Sequence, residues 1–135
     1  HKLLANKEST KLEIKAYGKL IEHMIRSRDS SSKDPKALLD VWNNIPKSTL
    51  KHLDFSPLAH AFVEHLIQLG AHEEAETQLR SILPHHFTPE LINLYGWVKG
   101  KDPKRQLLFA QDQLKQRPND AQLLLTLGRI CMLNN

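Results

Sequence analysis

One cysteine, five glycines and an aromatic share of 6% are the scarcities of this 135-residue chain. A single thiol excludes an internal disulfide framework; Cys131, between Ile130 and Met132 in a helical pattern, reads as a reduced, packed thiol. So few glycines and aromatics argue against a turn-rich sandwich or barrel. No apolar run approaches the roughly 20 residues that a membrane-crossing helix needs. A large excess of one charge is lacking too: the net charge of +4 permits weak attraction to nucleic acid or anionic lipid and requires neither.

What is present is an ordinary globular balance, 40% hydrophobic and 25% charged, long enough to bury the core of one domain over residues 1–135. The chain begins at His1 rather than Met, and its end carries no helix-stop signal. It therefore reads as a segment of a longer protein, which leaves room for targeting or membrane segments outside this window.

The hydrophobic period is helical almost throughout. Ala59, Phe62, Val63 and Leu66 recur at i, i+3, i+4 and i+7 and share one helix face, and alternation of the strand type is absent. Asp34-Pro35, Ser56-Pro57, Thr88-Pro89 and Asp102-Pro103 each place a capping side chain before a proline in the first turn. Gly70 and Gly100 read as helix-closing glycines. These signals predict an all-α chain of about seven helices, near 7–28, 35–45, 57–69, 72–83, 89–99, 103–117 and 121–133. A short helical turn is expected over Lys47–Leu53, and the serine-rich stretch 28–33 is expected to be a mobile loop.

A template of bulky-x-x-bulky-small-x-x-bulky recurs four times, at Ile14/Tyr17/Gly18/Ile21, Ala59/Phe62/Val63/Leu66, Leu91/Leu94/Tyr95/Val98 and Leu124/Leu127/Gly128/Cys131. The copies begin near residues 11, 56, 88 and 121, at spacings of 45, 32 and 33. Two of these lie close to the roughly 34 residues of a tetratricopeptide repeat, and the serine-rich insertion accounts for the long one. The chain resembles that family, including the proline closing a second helix at Arg117-Pro118. The resemblance implies helical hairpins stacked as an α-α superhelix, with pairs near 7–45, 57–83 and 89–117 and an unpaired first helix at 121–133. Val63 and Tyr95 stand where the template wants a small residue, so the two middle pairs are expected to splay.

A second resemblance rests on Ala37-Leu38-Leu39-Asp40-Val41-Trp42, Ala61-Phe62-Val63-Glu64-His65-Leu66-Ile67, Asp102-Pro103 leading Gln106-Leu107, and Leu124-Leu125-Thr126-Leu127-Gly128. In this order and spacing the segments resemble the HemY family of bacterial tetratricopeptide proteins. That implies tethering to the bacterial inner membrane through segments not present here, with this region on the cytoplasmic side and a late role in protoheme production. Other proteins, among them heme-pathway enzymes, are the implied partners.

Eight histidines raise a metal or heme site, but His60 and His65 are five apart and do not share a helix face, while His85 and His86 point apart. No Cys-x-x-Cys-His is present for covalent heme, and no nucleophile elbow, phosphate loop or His-Glu-x-x-His for catalysis. Lys2, Lys7, Lys11, Lys15 and Lys19 form a drifting basic stripe. Glu8, Glu13 and Glu22 interrupt it and stacking aromatics are scarce, so a solvated face is expected and no nucleic acid.

By resemblance, the first helices of tetratricopeptide pairs line a binding groove, which here selects Lys15, Lys19, His60, Glu64, Ile92, Gly96, Leu125 and Arg129. Only Asn93 falls where the family's clamp for acidic C-terminal peptides would need it, so a chaperone-tail receptor is rejected. Trp42, with Leu38, Leu39 and Ile45, reads as core. The expected function is a non-catalytic, protein-binding scaffold with no resident metal or cofactor. The alternatives are a heme or porphyrin carrier using a histidine such as His60, and a basic RNA-binding array. The apolar face of Leu124, Leu127, Ile130 and Cys131 is expected to be uncovered and to pair two copies of the chain through 121–133.

Overall fold

A computed structural model describes residues 2–26, 35–50 and 56–133, with side chains in the first helix described at Ser9 and from Lys11 onward. The expected loop at 28–33, the Asp34 cap and residues 51–53 lie outside the described residues. Those that are described form eight helices and no strand: α1 (Lys2–Arg26), α2 (Lys36–Asn43), α3 (Lys47–Leu50), α4 (Ser56–Gln68), α5 (His72–Ile82), α6 (Pro89–Tyr95), α7 (Pro103–Gln116) and α8 (Ala121–Leu133). The eighth beyond the seven expected is the short turn after Lys47. No helix among the described residues is long and apolar enough to cross a membrane.

The capping signals act locally. Thr88 Oγ1 accepts from Leu91 N at 3.2 Å and Asp102 Oδ1 from Arg105 N at 3.1 Å, each satisfying an N–H that the first turn leaves open. Asp120 Oδ1 does the same for Leu123 N at 2.9 Å. Ser56 departs from expectation: it is already helical, and its hydroxyl lies 3.3 Å from His86 Nδ1. Gly70 closes α4 with φ +80°, a conformation that favours glycine.

Helix α6 stops at Tyr95, four residues short of expectation. Gly96 N turns to Asn93 O and Trp97 N to Leu94 O, tightening the last turn. The carbonyls this leaves open are met from other helices. Gln106 Nε2 donates to Tyr95 O at 3.1 Å and Val98 O at 2.9 Å, and Thr126 Oγ1 donates to Ile92 O at 3.0 Å. Early termination brings Val98 into the core and carries Gly100 against Glu76, where an added Cβ would sit 3.1 Å from Glu76 Cγ. Gly100 is thus explained by close approach, not by closing a helix.

The helices α1, α4, α6 and α8 touch in succession. Helices α2 and α3 lie on α1, α5 on both α4 and α6, and α7 on α8. One core runs from Ile21 to Ile130. Ala59, Phe62, Val63 and Leu66 are all fully buried, as the period requires. Trp42 is core, its ring stacked on Phe62 with centroids 4.0 Å apart and planes 8° from parallel.

Only one middle pair behaves as the large residues suggested. Helices α4 and α5 meet closely, with Val63 and Ala75 both fully buried, whereas α6 and α7 stand further apart. Between the latter, the rings of Tyr95 and Phe109 meet edge to face at 5.4 Å. Valine is small enough for close approach; tyrosine is not.

The register of α8 is also corrected. Leu123, Thr126 and Ile130 face inward and are buried, which turns Cys131 out to solvent and removes Ile130 from the uncovered face. Cys131 is therefore not a packed thiol. Leu124 and Leu125 are about half exposed, and Met132 is more so.

Candidate functional site

The face shared by α6 and α8 carries a connected set of polar and aromatic side chains. Asn93 Oδ1, on α6, accepts from Gln122 Nε2 at 3.0 Å and from Arg129 Nη1, both on α8. The guanidinium of Arg129 lies 4.6 Å from the ring centroid of Trp97, within cation–π range. Trp97 is 55% exposed, and Leu125 beside this set on α8 is 50% exposed. An ordered guanidinium over an open indole, held by an amide, is the composition that protein interfaces favour.

Of the eight expected groove residues, six present surface. Lys15, Lys19, Glu64 and Leu125 are exposed, and His60 and Arg129 half-exposed. Ile92 and Gly96 are buried and cannot line a groove. Their places at the surface are taken by Asn93 and Trp97, one residue further along, because Ile92 packs inward beneath Thr126. Direct contacts join Arg129 to Asn93 and Trp97. His60 Nδ1 and Glu64 pair with each other at 3.4 Å one helical turn apart on α4.

Sequence reasoning passed over Trp97 and Gln122. The available signal was Gly96, a poor helix former directly before a tryptophan that falls outside the apolar template.

A second polar cluster lies between α5 and α7. Glu76 is fully buried, paired with Arg80 on its own helix and 3.5 Å from Arg105 Nη2. Glu73 accepts from Lys101 N at 2.7 Å and from Arg105 Nη2 at 3.1 Å. The Lys101 N–H holds the Glu73 carboxyl below its ordinary range, opposed by burial and aided by Arg105. Burial, and next the Glu76 carboxylate, push the Tyr95 phenol above its ordinary range, so it stays protonated. The cluster fastens the 99–102 turn to α5, with Lys99 N donating to His72 Nδ1 at 3.1 Å.

The histidines are dispersed. His86 is buried, with Nε2 donating to Leu50 O; His65 is buried; His72 serves the turn; and His85 is exposed. Among the described residues no group of three or more His, Cys, Asp or Glu is placed to hold a metal ion. Protein-family models, curated proteins and solved structures yield no match to this chain.

Proposed function

We propose that this chain is a non-catalytic protein-binding scaffold built of tetratricopeptide-type helical hairpins, with the α6–α8 face as its docking surface. The observation that carries this reading is Arg129 held by Asn93 over the open indole of Trp97. Such an arrangement offers a partner an aromatic platform and cationic N–H donors already ordered, which lowers the entropy lost on binding. The succession of contacts among α1, α4, α6 and α8, with other helices laid against them, supports the stacked-hairpin reading.

The biological setting we propose is the repeat region of a protein tethered to the bacterial inner membrane, lying on its cytoplasmic side and gathering proteins of protoheme synthesis. That setting rests on the ordered segments from Ala37 to Gly128 that resemble the HemY family. Depleting the intact protein should alter protoheme content; unaltered content would contradict the setting while leaving the docking surface untouched. The docking surface is tested by photo-crosslinking from position 125, beside Trp97 and Arg129, in the intact protein, with a second crosslinker at exposed Leu108 for comparison.

A further inference from the structure

A cavity of about 450 Å³ opens between α2, α3 and the C-terminal half of α5, and it shares no residue with the Trp97 face. Its floor is formed by Trp42, Ile45, Ile82 and His86, each at most 7% exposed. These walls are already set. The Trp42 ring is fixed by its stack on Phe62, and both ring nitrogens of His86 are engaged. Because Leu50 O can only accept, His86 Nε2 donates to it, and Nδ1 is engaged with the Ser56 hydroxyl. The imidazole therefore offers the cavity no free nitrogen.

The rim differs in kind from the floor. Lys47 and His85 are exposed there, and among the described residues no Asp or Glu lines the cavity. An apolar floor beneath a lysine ammonium and an imidazole, within the roughly 300–1,000 Å³ of small-molecule sites, selects a ligand with a flat hydrophobic body and one negative charge. We propose that this cavity binds a small planar organic carboxylate, its body against Trp42, Ile45 and Ile82 and its carboxylate at Lys47 and His85. The assignment does not depend on the α6–α8 face binding a protein, and either can fail without the other.

The experiment is an NMR titration of the isotope-labelled chain with 2-naphthoate, following the two tryptophan indole N–H resonances. A saturable shift of Trp42 with Trp97 unmoved is expected. Binding of uncharged 2-naphthamide should be severalfold weaker, and Lys47→Gln should bring the two affinities together. Ser81→Trp, at an exposed lining position, should block entry in a chain whose other resonances stay in place. The comparison of acid and amide needs no variant, so it stands even if a substitution unfolds the chain. No saturable Trp42 shift at millimolar naphthoate, equal affinity for acid and amide, or a principal shift at Trp97 would each overturn the assignment.

Discussion

The guanidinium of Arg129, on α8, lies over the indole of Trp97, beyond the end of α6, at 4.6 Å from the ring centroid. Trp97 is exposed and Arg129 is half-exposed, so the pair adds little to stability and is free to meet a partner. Arg129→Ala should lower unfolding free energy by only about 0.5–1 kcal/mol, as for exposed cation–π pairs. Chemical denaturation checks this, and a loss of several kcal/mol would make Arg129 structural.

Phe62 is different, being fully buried and stacked on Trp42. Phe62→Ala should destabilise by about 3–5 kcal/mol. A change under about 0.5 kcal/mol in the same denaturation experiment would mean that the core is not built on this stack.

Gln106 closes the α6–α7 turn by donating to Tyr95 O and Val98 O while accepting from Gly100 N at 3.4 Å. Replacing it with leucine leaves buried carbonyls without donors, at a cost of about 1–3 kcal/mol. Hydrogen exchange should quicken in residues 95–101 before it does in α4. Equal exchange in the variant and the parent would show that the turn is held by something else.

Much of this architecture is legible in the sequence, and its gaps have physical causes. The caps at Thr88 and Asp102 and the buried face of α4 follow from local chemistry and from period. The early end of α6 does not, because the donor to its freed carbonyls comes from Gln106, eleven residues beyond Tyr95. The register of α8 was missed for a related reason. Leu123, Leu124 and Leu125 are equally apolar, and a threonine, Thr126, occupies the core by donating to Ile92 O. At the site, Arg129 and Leu125 were selected through the tetratricopeptide resemblance. Trp97 was not, since its exposure depends on where α6 stops.

Glu73 links pH to stability. Its folded carboxyl is held below the ordinary range by the Lys101 N–H and Arg105. Its contribution is therefore fully present above the unfolded value of about 4.3 and is lost as pH falls through the lower folded value. Stability of Glu73→Gln should lie below that of the parent at neutral pH and converge with it under acid. Parallel curves across that range would remove Glu73 from the clasp.

Exposed Leu124, Leu125 and Met132 on α8 should promote self-association of this chain at high concentration. Sedimentation over a concentration series should show dimers that weaken with Leu124→Lys. A monomer at every concentration would remove this face from consideration.

The most direct test of the protein-binding account is photo-crosslinking from position 125 in the intact protein, with and without Arg129→Glu and beside a crosslinker at Leu108. The account predicts one discrete protein adduct at 125, lost when the charge at 129 is reversed and absent at 108. Equal, diffuse adducts at both positions, or a discrete adduct at 125 indifferent to the charge at 129, would contradict it.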